Sequence, residues 1–436
     1  MCRPAALLRQ LTAVILSVAC LLVQTVEGQD APAELKSISV AAHERTIRGI
    51  AFARDSQSVW TASEDGTTRQ WHVSERKLLR QLGEAEPLMS GVVVSRGGNT
   101  VATGGRSVIG LWDAQSGEQK LRIDPGQCVV VMDLSPDGRH VAAGLMLTDY
   151  AAVWDTASGK QVATLKEPAV PGETDEPSNG RAMGAVAFSP DGQYLAVCNA
   201  PPNFMSILSL YDARTFALRA RFVAHTADRS YCLAFSPDGK LLACGTQDGQ
   251  VKMFEVVAVV AAWDERAKAA AAKDAKVAAA VRELVTQLGS DDFNRREATN
   301  RELIKLGPQA IEPLKKLIDA TSDAEIRLRA QAIVKQLAEA VEGPLKGLVP
   351  MHTLNVPRIG SVRSLAFSSD GSLLAIGSTR LGTSQGQLEL WQLDNPQQPW
   401  RVVKDQPVNW LAISPDGKWV ASGLTGGSLL LTEVRK

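Results

Sequence analysis

Histidine, the side chain best suited to acid–base work near neutral pH, occurs five times among 436 residues: His43, His72, His140, His225 and His352. No two stand at the spacing of a helical metal site such as HExxH. No GxxxxGK stretch offers to cradle phosphate, and no GxSxG elbow offers a nucleophilic serine. The acids of residues 172–180, GETDEPSNG, do not follow the ligand spacing of a calcium loop. Their Pro, Gly and Ser neighbours read instead as a surface excursion. Beyond residue 28 four cysteines remain, Cys128, Cys198, Cys232 and Cys244, none in a CxxC pair. Each lies in an apolar run, where a thiol behaves as a small hydrophobe. Cys232 and Cys244 are expected almost opposite each other on two strands of one hairpin, where an oxidising compartment could bridge them. No cofactor and no metal is expected.

The elements that position these residues repeat. AFSPDGKLLACGTQDGQVKMFEV, residues 234–256, is an apolar run, a turn, a second run, a second turn and a third run. Pro presets φ and Gly tolerates positive φ, so Ser-Pro-Asp-Gly is turn chemistry. Related turns begin at Ala53, Ser95, Ser135, Ser189, Ser236, Ser368 and Ser414. Most lie about 40–54 residues apart, the length of a four-stranded propeller blade. A lone three- or four-stranded sheet cannot bury both its faces, so neighbours must stack on it. The third runs end in a bulky residue, often before an acid: Trp71, Trp112-Asp113, Trp154-Asp155, Tyr211-Asp212, Phe254-Glu255, Trp391 and, degenerate, Leu431.

On these turns and endings, residues 34–256 and 350–436 resemble the WD-repeat family. The resemblance implies a mainly β fold, a seven-bladed β-propeller around a channel. It also implies a structural hydrogen-bond chain from a His before the first strand to an Asp before the third and on to the Trp. Blade one carries all three, as His43, Asp65 and Trp71; blade five has His225 and Asp248 but Phe254. The last unit, SLLLTEVRK, supplies only a third strand. ELKSISV, residues 34–40, has the length and alternation to complete that blade and close the circle.

The resemblance further places the residue four before the end of each first strand at the channel mouth. Those positions are Arg48, Ser90, Val130, Gly184, Tyr231, Arg363 and Asn409. Arg48, Ser90, Tyr231, Arg363 and Asn409 are the candidate partner-binding residues, because Arg and Tyr are favoured in binding hot spots.

From Ser236 to Ser368 the turn spacing jumps to 132 residues. Residues 257–349 therefore form an insertion between the third and fourth strands of blade five. Its Ala-rich, charge-spaced start predicts a long helix through residue 288. Ser290, Asp291 or Asp292 can cap the next helix, and Ser322 the last. The short paired helices of residues 282–342 resemble a HEAT-like repeat.

Residues 1–28 carry Arg3 and Arg9 and then an apolar stretch from Leu11 to Val23. This is the pattern of a secretory signal peptide, too short for a membrane span of about 20 residues. An uncleaved N-terminal anchor is the other reading. Lys plus Arg equals Asp plus Glu at 47 each, so no basic excess points to nucleic acid. The composite expectation is an exported, periplasmic or cell-envelope, non-enzymatic scaffold for protein partners with a helical docking arm. The alternative is an exported propeller hydrolase or lyase with its site at the channel mouth.

Overall fold

A computed structural model describes residues 33–34, 37–83, 91–146, 150–166, 182–200, 206–225, 230–290, 292–306, 310–338, 348–356, 360–380, 385–404 and 407–434. Residues 1–28, read above as a signal-peptide pattern, the acidic stretch 172–180 and Ser90 lie outside them.

Seven antiparallel sheets form the blades. Their inner strands are Ile47–Phe52, Gly91–Val94, Val129–Leu134, Ala182–Phe188, Ser230–Phe235, Ser361–Phe367 and Val408–Ile413. Each blade's second strand is pressed between neighbouring blades: Ser58–Ser63 and Leu373–Thr379 are buried at every residue. That double burial explains why these strands combine apolar residues with small hydroxyl ones and carry no charge. Outer strands such as Leu78–Leu82 are largely exposed. The core is accordingly a series of layers between blades, one of them joining Ile47, Ile50 and Trp71 to Ala421, Leu429 and Leu431 where the last blade meets the first.

The Ser-Pro-Asp-Gly turns share one construction. The Ser236 hydroxyl donates to Asp238 Oδ1 (2.6 Å) and accepts from Leu241 N (2.9 Å), and Asp238 accepts from Lys240 N (3.1 Å). Gly239 stands at φ 73°, a conformation glycine adopts without cost. Blades three, four, six and seven repeat the Ser-to-Asp bond.

The chain's two ends meet in the seventh blade. Ser37–Ala41 lies antiparallel to Ser428–Glu433, with Ile38 opposite Leu431 and Val40 opposite Leu429. Just upstream, Ala33–Glu34 pairs in parallel with Arg401–Val402, adding a fifth strand to blade six. The N-terminal segment thus ties two consecutive blades.

Four helices interrupt blade five: α1 (Val256–Leu288), α2 (Phe293–Lys305), α3 (Ile311–Ala320) and α4 (Ala324–Ala338). The outer strand of that blade, His352–Asn355, follows them and pairs with Gln250–Met253. The start of α1 packs Val256 and Val259 against Phe222 and Phe254, and its last turns join α2–α4 through Val281, Val285, Leu303, Leu314 and Ile333. Asp292 caps α2 by accepting from Asn294 N (2.9 Å). At α4 the cap is Asp323, which accepts from Glu325 N and Ile326 N, and not Ser322 as the sequence predicts. A carboxylate accepts both amides from one residue further along.

Candidate functional site

The residue that the sequence places at the channel mouth is, blade after blade, a β-bulge. Gly49 pairs with Ala62 and Ile47 with Ser63, which leaves Arg48 as the extra residue. The same register shift isolates Val130, Gly184, Tyr231, Arg363 and Asn409. A bulge bends the strand and re-aims its extra side chain, so six inner strands turn one residue each out of the ladder at the same height. Between the inner strands of all seven blades runs a channel cavity of about 300 Å³. Tyr231 and Arg363 line it directly; Arg48 and Asn409 adjoin Gly49 and Trp410, which line it.

The polar members of the ring occupy consecutive blades: five, six, seven and one. The Arg363 guanidinium lies over the Tyr231 ring, its Cζ 4.3 Å from the centroid. Tyr231 is held in turn by donating to Gln247 Oε1 at 2.9 Å. Arg48 is neutralised locally, since its Nε donates to Glu64 Oε1 at 2.8 Å. Asn409 accepts from Thr379 Oγ1 (3.3 Å), which leaves its amide N–H groups as donors. The structure therefore brings Tyr231 and Arg363 into contact, sets Arg48 and Asn409 beside them with separate partners, and leaves Ser90 undescribed.

Deeper in the channel is Asp133, which sequence reasoning missed. One oxygen accepts from Leu134 N and the other from Phe188 N across the gap to blade four, each at 2.8 Å. Removal from bulk water pushes its carboxyl up to about 6 against those two bonds. With both oxygens engaged by backbone, Asp133 ties blade three to blade four.

The hydrogen-bond chain of blade one is complete but ordered differently from the expectation. His43 sits in the middle: Nδ1 meets Asp65 Oδ2 (2.9 Å), and Nε2 meets Thr61 Oγ1 (2.7 Å). Trp71 Nε1 then donates to Thr61 at 3.1 Å. Burial lowers the His43 pKa, with Asp65 opposing. The pKa of Asp65 is lowered: burial alone would raise it, but the bonds from Thr67 and the nearby His43 outweigh that. Thr61 is the link that sequence reasoning missed; its signal is a hydroxyl in the second strand, repeated at Thr103, which accepts from Trp112 Nε1.

Blade five departs from this chain. The place of Thr61, opposite Ile50, is taken by Cys244, opposite Leu233. Cys244 is wholly buried, facing blade four and Cys198, and its thiol donates to Ser230 Oγ. Cys198, then His225, lower its pKa against the opposing effect of burial. Cys232 stands opposite Gly245, one residue on, and so points to the other face of the sheet, toward Val362 of blade six. The bridge that the near-opposite placement left open is not formed: the two thiols, one register position apart, lie on opposite faces of one sheet, and both are free.

Among the described residues no group of three His, Cys, Asp or Glu could hold a metal ion, and no helix is long and apolar enough to cross a membrane.

The model of the WD domain, G-beta repeat, matches residues 35–72, 216–255, 349–391 and 398–431. The chain is 27% identical over 171 residues to the protein Groucho of Drosophila melanogaster, a match covering 38% of this chain and 21% of Groucho. It is 24% identical over 230 residues to THO complex subunit 3 of Arabidopsis thaliana, covering 51% and 67%. The first of these relatives is therefore matched over about a fifth of its length. Among solved structures, the β-propeller domain of Cps50 (Swd1) from Myceliophteria thermophila aligns with a TM-score of 0.59. That alignment covers 93% of this chain and 100% of the other at 15% identity.

Proposed function

We propose, from the premise that this chain belongs to the WD-repeat propellers, that it is an exported, non-enzymatic scaffold that engages protein partners at its channel mouth. The observation that carries this reading is the bulge ring. Six inner strands each give up one ladder position at one rim; five of these bulges carry a side chain, and the polar ones are two Arg, a Tyr and an Asn. Each of these six bulges re-aims a backbone position toward the same rim, which suits a binding mouth. The carboxylate among the described residues lining the channel, Asp133, is spent on backbone amides, which favours the scaffold over the hydrolase or lyase reading. Export rests on the residue pattern of positions 1–28. The helical insert serves as a second docking surface, where Phe293 and Leu328 stand exposed.

The test compares two doubly substituted chains in pull-downs from the native host. Arg48→Glu with Arg363→Glu reverses the mouth; Lys240→Glu with Lys418→Glu alters the opposite rim. The mouth variant loses the partners that wild type and the opposite-rim variant retain. Unchanged capture by the mouth variant contradicts the proposal.

A further inference from the structure

We infer that the channel mouth anchors an acidic side chain of a protein partner, with the Arg363 guanidinium as the anchor. The inference deepens the scaffold reading and rests on it.

Arg363 is the cation of the ring with nothing to balance it. Arg48 has Glu64. Among the described residues no carboxylate pairs with Arg363, and its Nε is buried without a hydrogen-bond partner. Its contact is the Tyr231 ring, 4.3 Å from Cζ. Stacking occupies the face of the guanidinium and leaves its N–H groups in the plane, where they form a rigid fork matching a carboxylate. The Tyr231–Gln247 bond holds the ring and, through it, the fork. A partly buried charge without a counter-ion is costly, and a carboxylate entering the mouth removes that cost through charge-assisted, bidentate bonds. Asn409 in the next blade offers further donors. Asp133 does not serve as an internal counter-ion, because its oxygens face Leu134 N and Phe188 N and no ion pair joins it to Arg363. On the opposite arc the ring carries Val130 and Gly184, which suit an apolar or small neighbour of the acid.

The probe is an array of fluorescein-labelled 12-residue peptides. Each acidic member has Asp or Glu at its centre and a twin with Asn or Gln there. Binding to the full chain is read by fluorescence anisotropy for wild type, Arg363→Gln, Arg363→Lys and Lys418→Gln, each checked for a native circular dichroism spectrum. Acidic members bind wild type at least 10-fold more tightly than their twins, and Arg363→Gln removes that difference. Arg363→Lys keeps the charge but not the fork, and restores only part of it. Lys418→Gln, on the other rim, changes nothing. Equal binding of acids and amide twins overturns the acidic anchor while leaving the mouth a docking surface. Acid preference that survives Arg363→Gln overturns the assignment to Arg363, and so does an array in which no member binds.

Discussion

Glu389 lies in the third strand of blade six, 1% exposed, with no cation beside it among the described residues. Trp391 Nε1 donates to it at 2.7 Å, and Gln387 Nε2 donates to its other oxygen. Burial raises its pKa from 4.5 to about 7 against those two bonds. In the unfolded chain the proton leaves near the ordinary carboxylate value, so the folded state holds it longer. Stability is therefore highest below that value and falls as pH rises to about 7, by on the order of 2–3 kcal/mol. Urea unfolding at pH 5, 6, 7 and 8 should show this fall in wild type and a flatter profile in Glu389→Gln; parallel profiles would refute it. Asp65→Ala should destabilise by about 1–3 kcal/mol, since it strips His43 and Thr67 of their acceptor. A melting temperature equal to wild type would contradict that. Peptide mapping without reductant should find no link between Cys232 and Cys244, which face different blades; finding one would overturn the register of blade five. At this scale the sequence was partly legible. The mouth positions could be counted because the offset from the last residue of each first strand is constant. Glu389 could not be foreseen as buried, because in LELWQ it occupies a place that alternation assigns to a wet face.

The strand Ser37–Ala41 and the inserted helices are the elements on which the wheel's continuity depends. Without Ser37–Ala41, the strand Ser428–Glu433 would present an unpaired edge and blade seven would lack its outer strand. A chain beginning at Ala42 should be insoluble or melt well below wild type. One beginning at Ser37 loses only the parallel pair with Arg401–Val402 and should be affected less. Equal stability of all three lengths, by differential scanning fluorimetry, would remove the clasp. The closing strand was legible because its apolar alternation precedes His43 by a fixed distance. The parallel pairing of Ala33–Glu34 was not, since two residues carry no period. The start of α1 was misjudged for a related reason. The insertion is expected to begin at residue 257, after the strand ending Phe254-Glu255, yet the helix already begins at Val256. Tertiary packing of Val256 and Val259 on Phe222 and Phe254 decides the matter there.

The whole molecule is a ring whose parts are stable only together. Each apolar layer is shared between two blades, and the layer between the last and the first is built from residues nearly the whole chain apart, Ile47 and Trp71 with Ala421 and Leu431. The Ser56 hydroxyl accepts from Asp416 N at 3.0 Å across the same seam. Closure is what gives the inner strands a common height, and the common height is what turns six separate bulges into one mouth. The account thus runs from repeat, to ring, to rim, to partner. Its most direct test is site-specific photo-crosslinking in the native host, with a benzophenone amino acid placed at Val130 on the mouth or at Lys418 on the opposite rim. Val130 is a bulge residue that takes no part in the Arg363–Tyr231 stack, so the substitution spares the anchor. The account predicts protein adducts from position 130 and few from position 418. Adducts from position 418 alone would contradict it.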